Sequence, residues 1–475
     1  MQHEFIHWAN LATMFFVQAA RMGDRNFLWE KKDGIYAPLS WRQTAERAEA
    51  VARGLLDQDI KPGDRVALVS ENRPDWLIID MAIMSIGAIT VPAYTTNTRD
   101  DHCHILCDSG ARAVFVSTQR LAKILLPAVA DSPSTTLVIS MDGEMDADVA
   151  GNITTLSLQT LIDNGKNRTE DIAAMSIGWE RERTACINYT SGTGGLPKGV
   201  MLHHGAILHN CTAAEDALRE IGLGDDIFLS FLPLSHSYEH MAGQFFPVSI
   251  GAQIYYAEGI EALGSNMVET RPTIMTAVPR LYETMHRRIT RGVQKQGGLK
   301  AMMFNAAYAL GAKRYQSPAS LTPLDRVVDR VVDKLVRDKV RDRFGGRLKA
   351  LVSGGAPLNP EIGLFFTALG LRILQGYGQT ESAPLISVNR ATNTKMHTVG
   401  PIVRDTEVRI AEDGEILCRG ELVMQGYWNN DEATRDAIVD GWLHTGDIGG
   451  FDEDGQLMIT DRKKDIIVNS GGDNL

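Results

Sequence analysis

Five cysteines in 475 residues, at positions 103, 107, 186, 211 and 418, are too few and too scattered for a disulfide scaffold. Long apolar runs are missing too. The most apolar stretch, Trp76 to Tyr94, is broken by Asp80 and Pro92 and does not read as a membrane span. The opening MQHEFIHWANLATMFF has no basic start and carries Glu4, which argues against a secretory signal. Positive charge is in deficit: 48 Lys and Arg against 59 Asp and Glu leave a net charge of −11, which disfavours general nucleic-acid binding. No internal repeat or low-complexity tract is visible. The remainder, 44% apolar and 23% charged, is ordinary globular material, long enough for roughly two to four domains. These features together suggest a cytoplasmic protein.

From Arg42 the chain alternates helix-like and strand-like segments. Arg42 to Gln58 has apolar residues at helical spacing, Lys61-Pro-Gly-Asp is a turn, and Arg65-VALVS reads as a buried strand. Helix follows over Asp75 to Gly87, strand at Ala88-ITVPAY, helix over Asp100 to Asp108 and strand at Ala113-VFVS. That alternation implies an α/β fold with mostly parallel sheets. Later, Glu407-VRIAEDGEILCRG and Gly450-FDEDGQLMITD each place Asp-Gly between alternating strands, a strong hairpin signal. The expected organisation is two α/β subdomains, about 1–185 and 186–394, then a small β-barrel-like subdomain at 395–460.

One segment differs in charge. Arg280 to Lys349 holds 17 Lys and Arg and 6 Asp and Glu, a net of +11, so the remainder carries −11 − 11 = −22. Within it, Leu324 to Phe344 places Val and Leu at helical intervals among alternating charges, predicting a long amphipathic helix. Two readings stand: a solvated helical hairpin, or a cationic face that docks on anionic lipid, peripheral on the inner face of a membrane.

The densest chemical signal is Tyr189-TSGTGGLPKGV. Gly192, Gly194 and Gly195 let backbone N–H groups approach a polyanion; Thr190, Ser191 and Thr193 add hydroxyls, and Lys198 adds a charge. This is chemistry for holding a triphosphate. It is not a Walker A loop, because Pro197 precedes the lysine and Gly199 follows it.

This loop resembles the phosphate loop of the adenylate-forming (AMP-binding) superfamily, in its long-chain fatty acid–CoA ligase branch. Val352-SGGAPL, Gln375-GYGQTES, Trp442-LHTGDIG and Asp461-RKKDIIVNSGG match further motifs in the family's order. Gly194 departs from it, standing where many members have a second threonine. The resemblance implies that Thr190 to Lys198 wraps the β- and γ-phosphates of ATP, and that Glu381 and the Thr190 hydroxyl hold Mg²⁺. It places Gly355, Ala356, Gln375, Gly376, Tyr377 and Thr380 around the adenine, Asp447 and Arg462 at the ribose, His236 beside the acyl group, and Lys464 at a hinge.

The implied reaction joins a carboxylate to AMP with loss of pyrophosphate, then transfers the acyl group to the thiol of coenzyme A, with catalysis mostly by positioning and charge neutralisation. A long-chain fatty acid is the expected substrate, because the basic insertion and the Thr445-to-Gly472 run resemble that branch. In the family a lid domain follows the hinge and contributes a catalytic lysine. The chain as given therefore reads as an N-terminal domain, 1–460, with a hinge motif at 461–475, and as weak or inactive on its own. Alternatives are transfer to a carrier protein, or a non-catalytic nucleotide- or acyl-binding module; a homodimer is also compatible.

Two patterns compete with this reading. His236-SYEH fits the H-x-x-E-H zinc pattern, in which Glu239 would be the base. His102-Cys-His-x-x-Cys107 could hold a metal, or be a helix with soft side chains packed between strands.

Overall fold

The alternating segments after residue 40 fold as their periodicity requires. The computed structural model describes residues 6–145, 153–190 and 196–463. Helices Trp41–Asp57, Pro74–Ser85 and Arg99–Ser109 alternate with strands Arg65–Val69, Ile89–Ala93 and Ala113–Val116. Thr98 and Ser40 each cap a helix reciprocally with the residue three positions on, which fixes where it begins.

Three sheets result. In the first, the strand order is Gly426–Tyr427, Lys198–His203, Thr184–Thr190, Ile89–Ala93, Arg65–Val69, Ala113–Val116, Leu137–Ser140 and Thr154–Ser157, parallel except at the first two pairings. The second sheet runs Ser387–Val388, Ile373–Tyr377, Ala350–Ser353, Ile274–Ala277, Ile227–Ser230, Gln253–Tyr256, Asn26–Lys32 and Ile35–Ser40. It too is parallel except at its two edges. The third is small and antiparallel, built from Thr406–Ile410, Glu415–Gly420, Ile438–Val439, Trp442–Phe451 and Leu457–Arg462. Both expected Asp-Gly hairpins are in it.

Sequence-contiguous subdomains are not how the sheets divide the chain. The strand Thr184–Thr190 spans the expected cut at 185, and Asn26–Lys32 pairs with Gln253–Tyr256 far along the chain. Similarly, Gly426–Tyr427 leaves the β-rich region to pair with Lys198–His203. Between the large sheets lies a shared core whose axis is helix Pro74–Ser85, buried at every residue but Asp75. Trp41 stacks on Phe27 at 3.5 Å in the same core.

The expected long helix over 324–344 is interrupted. Helix Pro323–Val332 passes into a π turn, Asp333–Arg337, and resumes as Asp338–Arg343. The cause is Arg337, which is fully buried and donates to the carbonyls of Ala307 (2.6 Å) and Ala368 (2.8 Å) and to Asp329 Oδ1 (2.6 Å). Turning that guanidinium inward needs a wider turn. No helix among the described residues is long and apolar enough to cross a membrane.

Candidate active site

Strands Thr184–Thr190 and Lys198–His203 are antiparallel, with Thr190 paired to Lys198, so the glycine-rich segment joins two adjacent strand ends. Ser191, Gly192, Thr193, Gly194 and Gly195 lie outside the described residues, as does Lys464. Below this hairpin mouth is a cavity of about 950 Å³. Its wall includes Thr190, Lys198, His236, Gly355, Thr380, Glu381, Asp447 and Arg462. Segments more than 250 residues apart therefore converge on one space. Ala356, Gln375, Gly376 and Tyr377 are not among its lining residues.

The Glu381 loop is built by close backbone crossing. Gly378 lies where a Cβ would stand 2.0 Å from the Pro384 carbonyl oxygen, so only glycine allows the turn. The Glu381 carbonyl accepts the Met424 amide at 2.9 Å, and its carboxylate Oε1 accepts the Tyr427 hydroxyl at 2.7 Å. The Tyr427 ring carries Lys198 Nζ over its face, 4.1 Å from the centroid. Burial and the neighbouring Glu381 push the Tyr427 phenol well up, so it stays a donor. Thr380 Oγ1 is 3.0 Å from Ser237 Oγ, which ties this loop to the His236 segment.

His236 faces the cavity and accepts the Tyr238 amide on Nδ1 at 3.1 Å. Burial pushes the imidazole pKa down, so the neutral ring carries its proton on Nε2. Tyr94 meets the His236 ring edge-on at 6.5 Å, its phenol pushed up to about 12 by burial.

At the far wall Asp447 is buried, accepting the Tyr377 hydroxyl at 2.8 Å and pairing with Arg462 Nε at 3.3 Å across neighbouring strands. Tyr377 thus stands behind Asp447 and holds it. The Gln375 side chain is committed elsewhere, donating to the Met396 carbonyl at 2.8 Å. Glu415 is a wall residue that sequence reasoning missed. It accepts from His444 Nδ1 (3.0 Å), the Gly446 amide (2.9 Å) and Lys463 Nζ (3.0 Å). Burial pushes its carboxyl up, but Lys463, His444 and that amide outweigh burial and hold it below the usual range. Tyr427 was missed as well. Both owe their places to cross-strand register, which leaves no motif.

The competing metal patterns dissolve. His240 Nε2 meets Asp80 Oδ2 at 2.9 Å in the interior, and Glu239 accepts from Ser230 (2.7 Å) and Thr276 (2.5 Å). His104 Nε2 lies 2.7 Å from the Pro197 carbonyl, and the Cys103 and Cys107 sulfurs are 4.0 Å apart. Among the described residues no three His, Cys, Asp or Glu converge as a metal cluster. Magnesium needs none, since it is commonly held by one or two protein oxygens plus phosphates and water. Glu381 and Thr190, hard oxygen donors that both line the cavity, fit that donor set.

Residues 15–428 match the AMP-binding enzyme family. The chain belongs to that family. This AMP-binding enzyme is 32% identical over 470 residues to the long-chain-fatty-acid–CoA ligase FadD15 of Mycobacterium tuberculosis, covering 98% of the chain and 76% of that protein. It is 31% identical to the peroxisomal long chain acyl-CoA synthetase 6 of Arabidopsis thaliana, covering 93% of the chain and 64% of the relative. Among solved structures, the N-terminal domain of FACL13 from Mycobacterium tuberculosis superposes with a TM-score of 0.71 at 22% identity, over 96% of this chain and all of that one. Family and relatives establish an ATP-binding ligase fold with acyl-CoA-ligase chemistry in general.

Proposed function

We propose that this AMP-binding enzyme activates a long-chain fatty acid as its acyl adenylate and then forms the coenzyme A thioester, releasing pyrophosphate and AMP. The observation that carries the reading is convergence: the Thr190–Lys198 hairpin mouth, Glu381, His236 and Asp447 all face one cavity. The relatives' long-chain substrates support the choice of acyl group.

In this reading Lys198 and the glycine-rich backbone neutralise the β- and γ-phosphates, where charge grows as pyrophosphate leaves. Glu381 and Thr190 would hold Mg²⁺, which supplies further charge neutralisation at the phosphates when bound. Asp447 and Arg462 fix the ribose, and Gly355 and Thr380 border the base. The His236 Nε2–H donates to an oxygen of the carboxylate or α-phosphate, orienting the carboxylate oxygen that attacks phosphorus. The coenzyme A thiol, losing its proton to water, then attacks the acyl carbon, the carbonyl re-forms, and AMP departs with the C–O bonding pair. Little covalent work falls on the protein, so positioning supplies most of the acceleration.

The test is calorimetric titration with AMP, a non-hydrolysable acetyl adenylate and its palmitoyl counterpart. The palmitoyl compound is expected to bind at least ~100-fold tighter than AMP, given ~0.8 kcal/mol per buried methylene. Equal affinity for the acetyl and palmitoyl compounds would reject the long-chain assignment. For the second half, in a version of the chain joined to the family's lid domain, thiol-dependent release of AMP with free coenzyme A is expected; release only with a phosphopantetheinyl carrier protein would replace coenzyme A as acceptor.

A further inference from the structure

Helix Pro323–Val332 and the π turn after it present an aliphatic stripe to solvent. Leu324, Val327, Val328, Val331 and Leu335 are 71%, 58%, 38%, 51% and 45% exposed. Their spacing of 3, 4, 7 and 11 from the first residue is one helix face. The opposite side, with Asp329, Val332 and Arg337, is the buried one. The antiparallel neighbour, helix Gly298–Gln316, adds Leu299 and Met302 near its start, 65% and 62% exposed. Single exposed aliphatics are ordinary; an ordered stripe of them is not.

The charges on the same helix are sorted. Its acids turn toward the protein: Asp325 pairs with Lys313 (2.8 Å), Asp329 with Arg314 (3.0 Å) and Arg337 (2.6 Å), and Asp333 with Arg341 (2.9 Å). Arg326, Arg330 and Lys334 are exposed, and among the described residues no carboxylate lies within ion-pair distance of them. The sequence shows charges of both signs here; the structure leaves the positive ones on the outer flank of the stripe.

We infer that this face docks on the surface of an anionic phospholipid bilayer. Charge complementarity selects the occupant. Residues 280–349, which contain the stripe, carry +11 within a protein of net −11, and the stripe's own flank exposes Arg326, Arg330 and Lys334, so a second copy laid on the same face would set like charge against like charge. The stripe is aliphatic and bordered by exposed cations, and its length suits shallow insertion of a helix lying in the headgroup boundary. The inference rests on exposure and charge, and stands whatever acid the site activates.

Flotation of the full chain with vesicles tests it. Binding is expected to vesicles containing phosphatidylglycerol and to be lost with pure phosphatidylcholine or in high salt. R326E/R330E/K334E is expected to lower partitioning to the anionic vesicles by roughly 100-fold, three surface cations each contributing several-fold. V327E/V331E should abolish it, while AMP affinity and thermal midpoint stay at wild-type values because both substituted side chains are exposed. Equal binding to both vesicle types, no binding at all, or unchanged binding by V327E/V331E would overturn the inference. So would a dimer that V327E/V331E dissociates, which would make the stripe a contact between copies.

Discussion

Replacing Glu239 by glutamine should change how stability depends on pH, and the structure sets the size of the change. Glu239 is fully buried, and burial pushes its carboxyl up to about 7 from the ordinary 4.5, although the Thr276 and Ser230 hydroxyls act in the opposite sense. Between those two values the folded chain holds a proton that the unfolded chain has released. The group's contribution is therefore fully present below pH 4.5 and is lost as pH rises through 7. At ~1.4 kcal/mol per pH unit the loss reaches about 3 kcal/mol above pH 8. Glutamine has the same shape, accepts from Ser230 and donates to Thr276, and never charges.

E239Q should match the wild type near pH 5 and exceed it increasingly from pH 6 to 8.5. For a chain this size the gap should reach a few degrees in thermal midpoint, read by near-ultraviolet circular dichroism or calorimetry at each pH. The wild-type minus E239Q difference removes every other titrating group from the comparison. A constant offset at all pH values would refute the reasoning, since it would mean the carboxyl does not titrate differently in the fold. Loss of stability at pH 8 would refute it more sharply, because it would make the charged form the one the site prefers. As a control, G243A should destabilise at every pH, since its Cβ would stand 2.3 Å from Glu239 Oε1.

Asp447→Asn retains an acceptor for Tyr377 but loses the charge facing Arg462; AMP affinity should fall about 10- to 100-fold by calorimetry, the range for hydrogen bonds to a charged group. Tyr427→Phe removes the donor to Glu381 and keeps the ring under Lys198, so Mg·ATP affinity should drop roughly tenfold while AMP affinity holds; equal effects on both nucleotides would count against Glu381 serving the phosphates. Glu415 has a carboxyl held below the ordinary 4.5, so its contribution is present above that pH and lost as pH falls through the lowered value. The midpoint gap between wild type and E415Q should accordingly close on acidification below pH 4.5.

Much of the fold was legible because the first half of the chain obeys simple periodicities. Val and Ile runs at 65–69, 89–93 and 113–116 alternate with helical spacing, and both Asp-Gly turns mark hairpins that form. What could not be read was partnership across long separations. Nothing local in Asn26–Lys32 says that it pairs with Gln253–Tyr256, and the two-residue strand Gly426–Tyr427 is too short for any pattern. The helix at 324–344 misled for a different reason: its pattern is continuous, but one guanidinium finds three acceptors inside and widens the turn to reach them. In the site, Thr190, Lys198, Glu381, His236 and Asp447 could be named because each lies in a dense motif. Glu415 and Tyr427 could not, since their roles arise only from which strand lies beside which.

Those two residues explain how an acidic chain can hold a polyanion. Glu381, Glu415 and Asp447 are three of the five carboxylates that line the cavity, with Asp101 and Asp436, and left unpartnered they would repel a triphosphate. These three are instead occupied: Glu381 on one oxygen by Tyr427, Asp447 by Tyr377 and Arg462, and Glu415 by His444, Lys463 and a backbone amide. Lys198 differs. Its partner is an aromatic face, and among the described residues no carboxylate lies within ion-pair distance of it. A cation held over a ring keeps its hydrogen-bond donors and most of its charge available, whereas one paired with a carboxylate does not. The three sheets therefore supply more than wall. By lending hydroxyls and cations to three of the acids, they leave Lys198 as a cavity cation whose charge is not spent on a carboxylate.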